Sequence, residues 1–336
     1  MIVKTEEQLL AEVNKTGKVL VYGSGNIART MIRYFQKKEV AIEGIAVKKD
    51  VGESMFGFET KHLENFTDLC ESVTVVICTI SDAYDNNFSL VKNRGFQNII
   101  IVDYELYVDL SVAENVHMDF LCAGFSKSGT TSLQTAFKKH PAIFLPKNKE
   151  SYYLNWRKNF DDAPERFRKR YFDNIPEGKV VGNIEPSYHT RAKGAYECFG
   201  RDLKIILMMR NPIDATYSNF KMLMKNPKEK KQAMYFKKHN AFNVDMFDNY
   251  MEDYIFNNKD KRYQYSKYVE QFVEVFGRDQ VKLVFFEELI QDPETVLNDL
   301  QDYIGVPRKT YKKMPKSNAG KFVSKNYISA RINCKL

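Results

Sequence analysis

Short apolar runs alternate along this chain with longer stretches whose apolar positions recur at helical spacing. Val19-Leu-Val-Tyr22 reads as a buried strand. Gly23-Ser-Gly25-Asn-Ile-Ala28 then turns the chain into a helix with Met31, Ile32 and Phe35 on one face. Further strands are predicted at Ala41–Val47, Val73–Ile80 and Ile99–Val102, each preceded by a helix-compatible segment. The alternation then resumes. Phe120-Leu-Cys-Ala-Gly124 is a strand, Phe125-Ser-Lys-Ser-Gly129-Thr-Thr a turn, and Leu133, Ala136 and Phe137 mark one face of a helix. That helix should stop at His140-Pro141, because proline disfavours helix in the residue before it. Leu203–Met209 is another buried strand, running into Arg210-Asn-Pro-Ile-Asp214 and a helix. Val281–Phe286 is the last strand, and Asp292-Pro293-Glu294 opens a helix with a capping residue and a first-turn proline. Strands alternating with helices predict an α/β fold in both halves, with parallel sheets flanked by helices.

At 336 residues the chain exceeds the soft one-domain length of ~150 residues, which favours two domains. Its charge divides as well. Residues 1–114 carry 12 Lys and Arg against 17 Asp and Glu, whereas residues 115–336 carry 39 against 26. The predicted boundary lies near Ser111–Asn115, giving domains 1–114 and 115–336. A basic half favours an anionic ligand, although a solvated lysine-rich surface accounts for the charge equally well. The five cysteines are scattered and form no CxxC pair. They suit a reducing, cytoplasmic setting and indicate neither a disulfide framework nor a metal site. No apolar run approaches the ~18 residues of a spanning helix, so no membrane span is expected and peripheral association stays open. Met1-Ile-Val-Lys-Thr-Glu-Glu lacks the basic-then-apolar order of a signal peptide.

Two motifs carry chemistry. Gly124-Phe-Ser126-Lys127-Ser128-Gly129-Thr130-Thr131-Ser132 has the GxxxxG spacing of a phosphate-binding loop on a strand-to-helix turn. Backbone N–H groups and the helix N-terminus can cradle an anion there. Thr130 occupies the lysine position of the ATPase pattern, and the lysine moves into the loop as Lys127. The hydroxyls of Thr130, Thr131 and Ser132 can assist. A glycine- and serine-rich turn without a ligand is the weaker alternative. In the second motif a strand delivers Arg210 to its C-terminal end, where open α/β sheets bind ligands. Asn211, Pro212 and Asp214 suit a helix start, and Ser218 follows two turns after Asn211. Taken alone, that motif reads better as a well-capped helix with a surface arginine.

Together these motifs resemble the sulfotransferases that use 3′-phosphoadenosine 5′-phosphosulfate (PAPS). Residues 125–133 look like that family's loop for the 5′-phosphosulfate. Arg210-Asn-Pro-x-Asp-x-x-x-Ser218 looks like its 3′-phosphate site, and residues 273–295 look like its closing strand and helix. The resemblance covers most of residues 117–310. It implies a P-loop-type α/β sulfotransferase domain with PAPS as co-substrate, 3′-phosphoadenosine 5′-phosphate (PAP) as product and no required metal. Lys127 would stabilise charge on the leaving phosphate.

A sulfuryl acceptor needs a base. Glu150, 23 residues after Lys127, resembles the base of the glycosaminoglycan-type branch, but it also reads as a carboxylate balancing Lys147 and Lys149. His189 is the second candidate. It follows Glu185-Pro-Ser-Tyr188, which resembles a substrate-side segment of that branch with Ile184 where a lysine is usual. Lys321 falls where the family has a late loop over the nucleotide, and a solvated basic tail is the plainer reading. Gly23-x-Gly25-x-x-Ala28 meets the dinucleotide-binding turn, but Lys48 and Lys49 precede Asp50 where an acidic ribose ligand is expected ~20 residues on. The segment resembles the Rossmann-like domains attached to bacterial sugar-modifying enzymes, which suggests a scaffold or protein-contact role. The expected activity is sulfuryl transfer to a carbohydrate hydroxyl or amine, in polysaccharide biosynthesis, with Trp156 and several tyrosines available to stack on sugars. Its rivals are a small-molecule or lipid sulfotransferase, a P-loop kinase, an NAD-dependent oxidoreductase and a nucleic-acid-binding protein. The last lacks any motif that interleaves basic and aromatic residues, so no nucleic-acid partner is expected.

Overall fold

A computed structural model describes residues 1–225 and 264–311. They form two compact units. The first comprises Met1–His117 with Tyr153–Asp173 and Gly194–Arg201; the second comprises Met118–Tyr152, Asn174–Lys193 and the described chain from Asp202.

In the first unit, strands β1 (Ile2–Val3), β2 (Lys18–Tyr22), β3 (Ala41–Val47), β4 (Ser54–Met55), β5 (Phe58–His62), β6 (Thr74–Ile77) and β7 (Asn98–Val102) form one sheet. Their order is β1-β7-β6-β2-β3-β5-β4, parallel except for the β4–β5 hairpin. Side chains alternate across a strand. Val19, Val21 and Val76 therefore pack on one face with Ile32 and Phe35 of helix Asn26–Lys37, while Leu20, Tyr22, Val75 and Ile77 pack on the other. A sheet covered on both faces explains why its strands read as continuous apolar runs. The run Val73–Ile80 yields a shorter strand than predicted. Ile77 is the last residue with a ladder partner on both sides, and the chain then leaves the sheet, exposing Ile80. Gly23 has φ +130, and a Cβ there would stand 2.9 Å from the Cys78 carbonyl oxygen. Close packing of two strand ends thus requires this glycine, whatever the turn binds.

The later segments join this unit through specific contacts. Tyr153 stacks on Phe167 at 4.1 Å and donates to Asn115 Oδ1 at 2.6 Å. Arg157 pairs with Glu197, which also accepts from Tyr104 and Tyr107. Trp156 lies edge-on to Tyr153 and Phe160, so it is engaged by protein rings here.

The second unit holds β8 (Phe120–Gly124), β9 (Ile143–Phe144), β10 (Val180–Ile184), β11 (Lys204–Met209) and β12 (Val281–Phe285), all parallel in the order β12-β11-β8-β10-β9. All five residues of β8 are buried. One face of the sheet carries Phe120, Cys122, Ile206, Met208 and Val284 against Leu133 and Phe137 of helix Thr130–Phe137 and Leu297 and Leu300 of helix Pro293–Ile304. From β8 the chain runs outward to β9 and back to β10, then crosses to β11 on the other side. The strand order therefore reverses at β8, and the crevice beyond its carboxyl end is where such sheets receive ligands.

Candidate functional site

Three segments leave the carboxyl ends of neighbouring strands: residues 125–129 after β8, Glu185 after β10 and Arg210 after β11. The first is the predicted anion loop. Phe125 donates its N–H to Met208 O at 2.7 Å, tying the loop to β11. Lys127 has φ +70 and Gly129 φ +86, a left-handed turn that brings the chain into helix Thr130–Phe137. Ser132 and Leu133 return their N–H groups to the Gly129 carbonyl at 2.9 and 3.1 Å, and the first N–H groups of a helix have no intrahelical acceptor. A Cβ on Gly129 would lie 2.6 Å from the Phe286 ring. Gly129→Ala is accordingly expected to cost about 1–3 kcal/mol in stability from backbone strain alone, read by urea denaturation. An unchanged midpoint would contradict the tight seat.

Ser128 is buried, and Ser126, Lys127 and Ser132 are half-buried. The Lys127 ammonium meets Met222 Sδ at 3.5 Å. Thr130 and Thr131 accept hydrogen bonds from Lys149 Nζ at 3.0 and 3.3 Å. Lys149 thus brings an ammonium to the very side chain that stands in the lysine position of the ATPase pattern. Its other neighbour is Glu150 Oε1 at 3.2 Å, and Tyr152 donates to Glu150 Oε2 at 2.7 Å. Burial, with Glu150 adding to it, pushes the Tyr152 phenol above its ordinary value, so it stays a proton donor.

Arg210 is the second predicted anion residue. Its Nη1 donates to the Lys127 carbonyl at 3.3 Å, and the guanidinium lies 4.6 Å from the Phe286 ring centroid. Its buried Nε has no hydrogen-bond partner among the described residues. Asn211 Oδ1 accepts from the N–H groups of Ile213 and Asp214 at 3.0 and 3.4 Å, capping helix Pro212–Lys225 as its sequence predicts. Ser218 lies half-buried on that helix. The structure brings Lys127 and Arg210 together, and Lys149 links the loop to Glu150. Lys321 lies outside the described residues.

His189 lies between rings, 5.4 Å from Phe125 and 5.0 Å from Tyr268 between centroids, and its Nδ1 stands 3.0 Å from the Pro186 carbonyl oxygen. A carbonyl only accepts, so Nδ1 carries the hydrogen. Two residues of this neighbourhood are absent from the sequence-level candidates. Lys149 counts there only as a charge beside Glu150, because its contact to Thr130 spans 19 positions and has no local signature. Glu185 counts only as part of the His189 segment. Its carboxylate is buried completely, and burial raises its pKa, with the Glu150 carboxylate adding to the rise. Among the described residues, no three His, Cys, Asp or Glu side chains gather to hold a metal, and no helix is long and apolar enough to cross a membrane.

A family model described as "Sulfotransferase domain" matches residues 117–333. The "Membrane-associated sulfotransferase kil1" of Dictyostelium discoideum is 28% identical over 106 residues, 30% of this chain and 22% of that protein. Human "Heparan sulfate glucosamine 3-O-sulfotransferase 3B1" is 25% identical over 192 residues, 55% of this chain and 45% of that protein. The chain therefore spans less than half the length of these curated relatives. Among solved structures, a sulfotransferase from Alicyclobacillus acidocaldarius is 24% identical, with 60% of this chain and 87% of that chain covered at a TM-score of 0.45.

Proposed function

The chain belongs to the sulfotransferase family, by its domain match over residues 117–333, and from that premise we propose that it transfers a sulfuryl group from PAPS to a carbohydrate hydroxyl or amine. The observation that carries the reading is the meeting of the two anion motifs, 83 positions apart, through the Arg210–Lys127 hydrogen bond. An arginine with a buried, unpartnered Nε beside a helix-opening loop fits a ligand bearing more than one phosphate.

Residues 126–132 would hold the 5′-phosphosulfate through loop and helix N–H groups and the hydroxyls of Thr130, Thr131 and Ser132. Arg210 and Ser218 would hold the 3′-phosphate, with Lys321 as a further contact. PAPS supplies the sulfuryl group on a phosphate leaving group. The Lys127 ammonium would swing to where leaving-phosphate charge grows. Glu150, held by Lys149 and Tyr152, takes the acceptor proton at its carboxylate. The 3-O-sulfotransferase relatives support a sugar acceptor; a bacterial surface polysaccharide or its precursor is our specific choice. The first unit serves as a scaffold or protein contact, and its free, mostly buried cysteines support a cytoplasmic setting.

The test uses nucleotide alone. PAP should raise the melting temperature several degrees more than AMP at equal concentration, because a ligand that binds only the folded state stabilises it by mass action. Arg210→Ala should erase most of that difference. Equal shifts with both nucleotides in the unaltered protein would remove the 3′-phosphate site.

A further inference from the structure

Glu185 is a buried carboxylate for which the transfer chemistry above has no use. It sits one residue past β10, anchored through its own N–H to Cys122 O of β8 at 2.9 Å. Its side chain accepts three hydrogen bonds. Oε2 takes the Tyr152 N–H at 2.9 Å and the Ser151 hydroxyl at 3.3 Å, and Oε1 takes the Ser187 hydroxyl at 2.8 Å. Ser151 is also reached by Asn183 Nδ2 and Tyr188 OH, each at 3.4 Å. With no exposed surface, this carboxylate cannot meet an acceptor sugar.

What it holds is an unfavourable piece of backbone. Glu150 has φ +65 and Tyr152 φ +54, two side-chain-bearing residues in the left-handed region within three positions. Each is disfavoured relative to an ordinary right-handed or extended conformation. Such a segment persists only where its surroundings over-determine it. Hydrogen bonds from a backbone N–H and a hydroxyl to a carboxylate are among the stronger kinds available.

We propose that Glu185 is a positioning residue: by gripping Tyr152 N–H and Ser151 it fixes the 150–152 backbone, and thereby where the Glu150 carboxylate stands beside the phosphate loop. The claim rests on the reading of Glu150 as proton acceptor. A displacement of about 1 Å at a reacting group can cost on the order of 10²-fold in rate. Losing the grip should therefore reach turnover while leaving the nucleotide loop, held by β8 and β11, intact.

The experiment compares Glu185→Ala and Glu185→Gln in the full chain. Glutamine keeps the shape but presents an acceptor on only one side, so it should fall between glutamate and alanine. Amide hydrogen exchange of the 150–153 segment should quicken in that order, with PAP binding by calorimetry retained. Transfer of ³⁵S from labelled PAPS, to heparan sulfate or to water, should lose kcat by about 10–100-fold, with KM for PAPS nearly unchanged. In a Glu150→Gln background the Glu185 changes should add almost nothing, since a residue acting through another has no effect once that other is gone. Unaltered exchange at Tyr152, or a full additive loss in the Glu150→Gln background, would overturn the proposal while leaving Glu150 as base. A silent Glu150→Gln beside an impaired Glu185→Ala would overturn the base assignment, and with it this route of action. Should neither acceptor receive label, the exchange measurement still decides whether Glu185 grips the segment.

Discussion

Lys127→Ala should lower sulfuryl transfer by roughly 10²–10³-fold while weakening PAP binding only a few-fold. The asymmetry follows from where the lysine sits. The bound phosphate is to be held by N–H groups of the loop and first helical turn and by hydroxyls, none of which depends on the Lys127 side chain. Its ammonium, now against Met222 Sδ, hangs on a flexible stem able to swing to the bridging oxygen. Charge on that oxygen grows as the S–O bond breaks, so the interaction is strongest in the transition state, and its loss falls on kcat. The left-handed turn at residue 127 is as strained for alanine as for lysine, so the loop should not relax when the ammonium goes. Parallel losses in PAP affinity and turnover would show that Lys127 is a binding residue instead.

Glu150→Gln should cost roughly 10²–10⁴-fold in turnover, the usual worth of a general base. Glutamine still accepts from Tyr152 and retains most packing, so PAP affinity should change little. The hydrogen bond from Tyr152 at 2.7 Å and the ammonium of Lys149 at 3.2 Å occupy both carboxylate oxygens. Each oxygen keeps a second lone pair, through which the acceptor hydroxyl can bind beside one of them. His189→Ala is the control. Its ring is engaged by Phe125 and Tyr268, and Nδ1 by Pro186, so its removal should reduce stability more than transfer. Near-normal turnover in Glu150→Gln with complete loss in His189→Ala would reverse these roles.

Much of the frame was legible because burial on both faces of a parallel sheet leaves an unbroken apolar run. β2, β8 and β11 announce themselves in that way. The short β4 and β9 do not, since two residues form no period, and β10 is interrupted by Gly182 and Asn183. Val281–Phe286 was one residue too long because Phe286 starts the next helix and lends its ring to Gly129 and Arg210. The loop and its arginine were readable as motifs. Lys149 and Glu185 were not, because their contacts reach across 19 and 33 positions and hydrogen-bond chemistry of that range leaves no spacing to recognise. Nor does any local pattern foretell that residues 153–173 and 194–201 pack with the first unit.

The seat of Phe286 against Gly129 and Arg210 also has a consequence for how the molecule is made. The phosphate loop emerges early in the second unit, but the ring that backs it arrives nearly 160 residues later, on the far side of β12. At synthesis rates of about 5–20 residues per second, roughly ten to thirty seconds separate the two. During that interval β8 and its loop exist without the ring that packs against Gly129 in the folded unit. Nascent chains stopped short of Phe286 should consequently be retained poorly on immobilised PAP, whereas chains released beyond the helix at Pro293–Ile304 should be captured. Nucleotide capture would then serve as a clock for completion of this unit during translation.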